Sequence, residues 1–367
     1  MNDLVVLSLE RWDAVWRRNQ HLIAGLIASD PTLRVLFVEP PDDPLHDLRG
    51  RRSPRFGAPA TQVGDRLWTL RPVKWLPRRL DSGGDDRRAR AIRRAATRLG
   101  FMAPVLWVND PAAAGIVALT GWRSLYDITD DWLSAARPPA ELERIAAGEA
   151  LLLDRADAVV ACSPELVRRK NPQRGDIHLV PNGVDLGAYR TPSARPDVLP
   201  VAPIALYLGT LHDDRLDAAL CVRVADDLAD RARLVLAGPD LLSAADRDRL
   251  DAAGILRLGP VDRGDVPALL QHADVLIVPH RVTAFTDSLD PIKLYEYRAA
   301  GRPVISTAVA GFRDSADPRV RIAGASDFAD AIGSALNSPV PDAPGDVADI
   351  DWSARVRQMR QILTSVR

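Results

Sequence analysis

The chain has 367 residues, which is more than one ordinary domain needs and enough for two. Its 47% hydrophobic and 26% charged residues exclude wholesale disorder, and its formal net charge of −1 excludes a polycationic nucleic-acid-binding protein. The two cysteines, Cys162 and Cys221, lack the spacing of a zinc site or a redox pair, so both are expected to be reduced structural thiols. Neither a signal peptide nor a membrane-spanning helix is expected, because charges interrupt the first twelve residues and no apolar run reaches about 18 residues.

Short apolar runs alternate with helical patterns through the first half of the chain, which predicts βα units and a parallel sheet. The predicted strands are Leu4–Leu9, Arg34–Glu39, Trp68–Val73, Val105–Val108, Ser124–Ile128, Ala158–Ala161 and Ile177–Val180. The predicted helices are Trp12–Ala28, Asp85–Leu99, Ala140–Leu153 and Pro164–Arg169.

A segment with four prolines and no periodicity, 191–203, has the composition of a linker, and the alternation restarts after it. The predicted strands there are Ile204–Leu208, Arg233–Ala237, Leu256–Leu258, Val275–Val278 and Val304–Ser306. The predicted helices are Leu216–Leu228, Ala244–Ala253, Val266–His272, Ile292–Ala300, Ala325–Leu336 and Trp352–Val366.

These patterns predict an α/β protein with two doubly wound, Rossmann-like domains that face a central cleft. The expected organisation is an N-terminal acceptor-binding domain over 1–190, a linker over 191–203, a donor-binding domain over 204–345 and a C-terminal helix over 351–367 that packs back on the first domain.

Positive charge is concentrated in one part of the chain. From His46 to Gly100 there are fifteen Arg or Lys against five Asp, a local net charge of +10. Two interpretations remain open: a solvated helix face with a loop, or attraction to an anionic surface. Within this stretch, residues 71–80 combine cations with Trp75, Leu76 and Leu80, a mixture suited to an anionic bilayer surface.

The segment from Phe285 to Ser306 is the most informative. Asp290 is a good N-cap and Pro291 a good first helical residue, so a helix is expected to start there with backbone amides free to bind an anion. Lys293 and Glu296 share a face of this helix, and Gly301 ends it. The spacing alone is equally consistent with an ordinary capped helix that carries a Lys293–Glu296 salt bridge.

The run KLYEYRAAGRPV, residues 293–304, resembles the donor-binding signature of GT-B glycosyltransferases of the family 4 type. In that family two glutamates eight residues apart flank the sugar nucleotide. Glu296 matches the second, which binds the ribose hydroxyls, whereas the first falls at Ser288, with Asp290 close by. The resemblance implies that the amides of Ile292 to Leu294 face the donor phosphates.

Other stretches extend the resemblance over most of the chain. The loop after the strand Ile204–Leu208 implies contacts of Gly209, Thr210 and Arg215 with the diphosphate, although Thr210 stands where relatives often have a basic residue. The strand ends at Gly238 and Val261 would lie beside the nucleotide base.

The first domain matches less closely. Trp12, Trp16 and Arg18 belong either to the core and surface of a helix or to an acceptor cleft, and Arg11 is grouped with them as an acceptor-binding candidate.

The carboxylates that follow the strand Ser124–Ile128 either contact sugar or acceptor or else cap a helix and pair with arginines. Asp127, Asp130 and Asp131 are the candidates, and Asp130 is the nearest match to a family histidine. Asp110 is read first as a helix cap and second as a cleft residue.

The resemblance implies a retaining, metal-independent transfer of a sugar from a nucleoside diphosphate sugar (UDP, GDP or TDP) to a hydroxyl acceptor, which is a glycan, glycolipid or natural product. Arg215, Lys293 and Asp130 are the expected catalytic residues. A bacterial cytoplasmic enzyme of polysaccharide or cell-wall synthesis, peripheral on the inner face of the plasma membrane, fits this reading. Two alternatives stay open: a GT-B-like sugar-nucleotide epimerase, and a non-catalytic nucleotide-sugar-binding partner of another transferase.

Overall fold

The computed structural model describes residues 3–50, 53–75, 81, 83–135, 137–229, 231–341 and 350–366. The chain divides into two compact units. The first takes in Met1–Leu133, Arg137–Pro181 and Arg355–Arg367, and the second takes in Asn182–Ala354 with Ser134–Ala136. The division by packing therefore falls after Pro181, ahead of the proline-rich segment 191–203.

The first unit is built on a sheet that is parallel except at one edge. Its described strands follow the order β3-β4-β2-β1-β5-β6-β7-β8, with β3 antiparallel to β4. The strands are β1 Asp3–Leu7, β2 Arg34–Val38, β3 Ala58–Gly64, β4 Leu67–Arg71, β5 Val105–Val108, β6 Ser124–Ile128, β7 Ala158–Ala161 and β8 His178–Leu179. The helices are α1 Arg18–Ser29, α2 Pro44–Arg49, α3 Gly84–Arg98, α4 Ala114–Thr120, α5 Pro139–Arg155 and α6 Pro164–Lys170.

The second unit is built on a parallel sheet whose described strands follow the order β11-β10-β9-β12-β13-β14. The strands are β9 Ile204–Leu208, β10 Arg233–Ala237, β11 Leu256–Gly259, β12 Val275–Val278, β13 Val304–Ser306 and β14 Val320–Ile322. The helices are α7 Leu186–Arg190, α8 Ala218–Leu228, α9 Ala244–Ala252, α10 Val266–Gln271, α11 Ile292–Ala300 and α12 Phe328–Leu336. The last helix is α13, Trp352–Ser365, and its residues from Arg355 onward belong to the first unit.

The predicted α/β class is confirmed, and the central strands β5, β6, β7, β9, β10, β12 and β13 have the predicted bounds. These strands are almost fully buried and their sequences are predominantly apolar. The polar positions are Ser124 and Asp127 in β6, the exposed Arg233 at the start of β10 and Ser306 at the end of β13. Elements that the pattern missed are short or half-exposed; they are β3, β14, α2, α4 and α7.

The predicted start of the first helix at Trp12 is wrong. Helix α1 begins at Arg18, where the Gln20 side chain accepts a hydrogen bond from the backbone amide of the N-cap residue Arg17 at 3.1 Å. The Gln20 amide group also donates to the Arg11 carbonyl at 3.0 Å, so Trp12 and Trp16 lie in an ordered loop ahead of the helix.

The segment 191–203 contains neither helix nor strand, as its prolines predict. Its first residues are nevertheless hydrogen-bonded to the Gln271 side chain at the end of α10. Gln271 accepts from the Ser193 amide at 2.8 Å and donates to the Thr191 carbonyl at 3.1 Å. No helix in the described ranges is long and apolar enough to cross a bilayer.

Two glycines bring the ends of β9 and β10 together. Gly209 and Gly238 have φ angles of +146° and +135°, a region that side chains rarely adopt. A Cβ atom on Gly238 would lie 2.2 Å from the Gly209 carbonyl oxygen. The two strand ends can therefore approach this closely only because Gly238 carries no side chain.

Replacing Gly238 with alanine should destabilise the protein by roughly 3 kcal/mol, because the added carbon meets backbone and the φ angle is strained. Gly254→Ala is the matched control. Its φ of +67° also strains a residue with a side chain, but no atom lies within 4 Å of the added carbon. Urea unfolding of both variants checks this. Equal losses in the two would contradict the close contact.

Candidate functional site

The Lys293 side chain reaches from the first turn of α11 to the end of β9. Its Nζ donates to the Tyr207 hydroxyl at 2.8 Å and lies 3.3 Å from His280 Nε2. A Cβ atom on Gly209 would lie 2.7 Å from the same Nζ. The only lysine of the donor-binding signature is thus placed against the loop that follows β9, where the resemblance put the diphosphate.

The simpler interpretation of the Lys293–Glu296 spacing, a salt bridge along the helix, is wrong. No ion pair joins the two side chains among the described residues. Although both side chains are partly exposed, burial of the Lys293 ammonium, followed by the charge of Arg215, lowers its pKa to about 7 against the opposing effect of Glu296.

Glu296 lies one helical turn further along α11. Burial raises the pKa of its carboxyl to about 7, and the charge of Lys293 acts in the opposite direction. Within the described parts of the chain its oxygens accept no hydrogen bond, so they are available to hydroxyl donors from a ligand.

Arg215 adds a second cation on the loop after β9. Its guanidinium lies over the ring of Phe285, 5.2 Å from the centroid, and its charge helps to lower the pKa values of Lys293 and His280. Two positive side chains from different elements therefore act on the same small volume of the second unit.

The prediction that Asp290 caps α11 is wrong, because Pro291 occupies the N-cap and the helix begins at Ile292. Asp290 instead accepts from the Asn182 amide at 2.5 Å and from the Tyr295 hydroxyl at 2.7 Å. Of the amides expected to face phosphate, that of Leu294 donates to the Pro291 carbonyl at 2.9 Å, so Ile292 and Lys293 supply the first free amides.

The other donor-side candidates occupy different environments. Ser288 is fully buried, and its hydroxyl donates to the Phe285 carbonyl at 2.8 Å, so it does not offer the open carboxylate of the family pattern. The carbonyl of Thr210 accepts from Tyr207 at 3.3 Å, and Val261 packs partly buried against the core of the second unit.

In the first unit, Arg18 and Asp127 form a buried pair. The guanidinium donates to both carboxylate oxygens, at 3.2 and 3.1 Å, and Asn109 donates to the same carboxylate at 3.2 Å. Arg18 is 5% exposed and Asp127 is fully buried, so the geometry favours the arginine-pairing interpretation of this carboxylate.

Asp131 is also bound to internal cations. It accepts from Arg169 at 2.6 Å and from Lys170 at 3.1 Å, and Lys170 in turn donates to Glu149 at 2.6 Å. All but Arg169 are nearly inaccessible, which makes this a structural ion cluster in the first unit.

The remaining acceptor-side candidates are more accessible. Arg11 donates to Asp42 at 2.6 Å and is about one-third exposed, and the ring of Trp12 packs edge-on against Phe37. Asp110 caps a short 3₁₀ turn by accepting from Ala112 at 2.9 Å, as its first interpretation predicts. Asp130 is half-buried and accepts from the Thr129 hydroxyl at 3.2 Å.

The sequence interpretation missed Tyr207, His280 and Lys170. Tyr207 is the β9 residue two positions before Gly209, and His280 follows Pro279 at the end of β12, so both could have been found as polar residues at strand ends. Among the residues that the structure describes, no group of three or more His, Cys, Asp or Glu side chains is arranged to hold a metal ion.

Comparison with known proteins places this site in a known type of domain. Residues 202–338 match the family model described as Glycosyl transferases group 1. The TuaH protein of Bacillus subtilis (strain 168), which is named as a teichuronic acid biosynthesis glycosyltransferase, is 25% identical over 218 residues. That alignment takes in 55% of this chain and 55% of the relative, so it spans about half the length of each.

Solved structures match the whole chain at low identity. The sucrose-phosphate synthase of Thermosynechococcus elongatus has a TM-score of 0.73 at 20% identity, and 100% of this chain and 99% of that chain are covered. Anabaena Alr3699/HepE, solved with UDP and glucose, has a TM-score of 0.69 at 14% identity, with 100% of both chains covered. The α,α-trehalose 6-phosphate synthase of Burkholderia multivorans has a TM-score of 0.66 at 14% identity over 100% and 99% of the two chains.

These matches confirm the expected fold. The chain has the GT-B fold, and its residues 202–338 are similar to the glycosyl transferases group 1 family.

Proposed function

We propose that this protein is a retaining glycosyltransferase that moves a sugar from a nucleoside diphosphate sugar to a hydroxyl acceptor. The observation that carries the proposal is the position of the Lys293 ammonium, beside Gly209 and at the start of α11, with no carboxylate paired to it among the described residues. A partly desolvated cation that forms no ion pair with a carboxylate favours an anionic ligand.

The proposed mechanism depends on where negative charge develops during sugar transfer. When the sugar leaves, negative charge builds on the departing phosphate, and groups that neutralise it lower the barrier. Lys293, Arg215 and the free amides of Ile292 and Lys293 supply positive charge at one place in the second unit. Because these groups belong to the chain itself, we propose that transfer proceeds without a resident metal, and activity retained in a chelator would support this.

Glu296 is proposed to hold the donor by its ribose. Its carboxylate oxygens have no internal hydrogen-bond donor among the described residues, whereas two neighbouring ribose hydroxyls supply two donors. The raised pKa of about 7 means that acidic conditions protonate this carboxyl and weaken the interaction.

On the acceptor side the accessible candidates are Arg11, Trp12 and Asp130, each of which is partly exposed. Arg18 and Asp131 are buried in internal ion pairs, and Asp110 caps a 3₁₀ turn. The name of the Bacillus subtilis relative supports a cell-wall or other surface polysaccharide as the acceptor class. The UDP complex of Anabaena Alr3699/HepE makes UDP-sugars the first donors to test.

Replacing Lys293 with alanine should lower turnover by about 10²- to 10³-fold, since one stabilising charge is lost from the transition state. Release of nucleoside diphosphate from UDP-, GDP- and TDP-sugars measures turnover, and circular dichroism verifies folding. Arg249→Ala, which changes an exposed cation of the same unit, is the control and should retain full activity.

Three outcomes of this assay discriminate among the functions. Near-normal transfer by Lys293→Ala would contradict the proposed role. Conversion of a donor incubated alone into an isomer would indicate an epimerase, and donor-induced thermal stabilisation without turnover would indicate a non-catalytic binding partner.

We further propose that the protein works in the cytoplasm as a peripheral protein on the inner face of the plasma membrane. Leu48, Phe56 and Trp75 are each more than half exposed in the first unit, and the rings of Phe56 and Trp75 lie 6.0 Å apart. Lys74 and Arg55 flank them and are paired with Asp43 and Asp47. Of the predicted surface 71–80, residues 76–80 lie outside the described residues.

Helix α3 adds cations to the same unit. Arg90, Arg93, Arg94 and Arg98 line a surface depression of about 410 Å³. An anionic bilayer complements these charges, and exposed aromatic rings suit its interface.

Flotation with vesicles tests this surface. Binding to phosphatidylglycerol-containing vesicles should exceed binding to pure phosphatidylcholine by about tenfold or more and weaken with added salt. The double change Phe56→Ala and Trp75→Ala should reduce it, whereas Met102→Ala, at an 88% exposed apolar residue, serves as the control. Equal binding to both vesicle types would exclude the anionic surface.

A further inference from the structure

The Lys293 ammonium is held by a triangle of polar atoms from three separate elements. Lys293 Nζ lies 2.8 Å from the Tyr207 hydroxyl and 3.3 Å from His280 Nε2, and these two atoms are 3.0 Å apart. The ammonium also lies over the Tyr207 ring, 4.1 Å from its centroid. β9, the end of β12 and α11 therefore meet at one nitrogen.

Both supporting side chains are suited to accept from that nitrogen. Tyr207 and His280 are 1% and 5% exposed, and burial together with the charges of Lys293 and Arg215 holds the pKa of His280 well below its usual value. A neutral imidazole offers a lone pair, and a phenolic oxygen accepts while it donates elsewhere. Lys293 donates to the Tyr207 oxygen, and the single Nε2 lone pair of His280 accepts either from Lys293 or from the Tyr207 hydroxyl. At least one N–H group of a protonated Lys293 is therefore left for a ligand.

We propose that Tyr207 and His280 are positioning residues that hold the Lys293 ammonium in its phosphate-binding location. The inference rests on the proposed function, because it assigns the orientation of a cation that this function uses. A lysine side chain has many rotamers, and fixing one of them beforehand lowers the entropic cost of binding a diphosphate. Neither residue touches the donor in this scheme; each acts through Lys293.

The charges that face Lys293 determine how the arrangement responds to pH. Arg215, on the loop after β9, disfavours its protonated form, Glu296 on its own helix favours it, and His280 at the end of β12 is neutral. Its pKa of about 7 means that the cation is lost as pH rises above 7, so donor affinity should fall on the alkaline side. Removing an acceptor that stabilises the cation should lower this pKa and move the decline to a lower pH.

The experiment measures the affinity of UDP-glucose, GDP-mannose and TDP-glucose between pH 6 and 9 for the full chain and its variants. With whichever donor binds, Tyr207→Phe and His280→Leu should each weaken binding roughly tenfold at neutral pH. Each should also shift the alkaline decline by about one pH unit to lower pH. His280→Gln, whose amide oxygen can replace the Nε2 lone pair, should restore most of the affinity.

Tyr297→Phe is the matched control. This fully buried tyrosine on α11 bonds to the Leu208 amide and not to Lys293, so its loss should leave the alkaline decline in place. Urea unfolding verifies that each variant is folded.

Two results overturn the inference, and they are distinguishable. If the wild type binds a donor and Tyr207→Phe and His280→Leu match it in affinity and pH profile, the positioning role is wrong while the proposed function stands. If the wild type binds none of the three donors, both fail.

Discussion

The site depends on a cation that the fold desolvates in part and that forms no ion pair with a carboxylate among the described residues. Lys293 has lost part of its hydration, and its neighbours are a hydroxyl, an imidazole and a second cation. Burying a charge without a counter-charge costs several kcal/mol, and proteins ordinarily avoid it by pairing or by loss of the proton. This cost explains why the pKa of Lys293 is lowered to about 7. An anionic ligand would offset the same cost.

Several features of the surrounding fold hold the Lys293 ammonium in place. The parallel sheet brings the ends of β9 and β12 to one edge, and α11 begins there. Gly209 leaves room for the ammonium, and Asp290 ties the residues before α11 to Asn182. The Glu296 position follows from helix geometry, one turn beyond Lys293.

Much of the fold of the second unit could be predicted from the sequence. Buried parallel strands are mostly apolar runs, so β9, β10, β12 and β13 were found with their bounds. The signature around Lys293 and Glu296 predicts these two residues as donor-binding, and the structure places Lys293 beside Gly209. The partners of side chains could not be predicted in the same way, because they depend on which strand ends become neighbours. Asp290 fits a cap in sequence yet bonds to Asn182, and Asp131 fits a ligand-binding carboxylate yet lies between Arg169 and Lys170.

The formal charge of the basic stretch from His46 to Gly100 is larger than the charge that is available to a binding partner. Several of its cations are neutralised by carboxylates that lie outside the stretch or beside it: Arg71 pairs with Glu39, Lys74 with Asp43, and Arg88 approaches Asp110. The electric field at a distance is therefore weaker than +10 implies, and at physiological ionic strength it decays within about 8 Å. Long-range steering is then a minor effect of this stretch. In the membrane association that we propose, the arginines exposed on α3 would act mainly after the protein has touched the bilayer, by orienting the first unit on its surface.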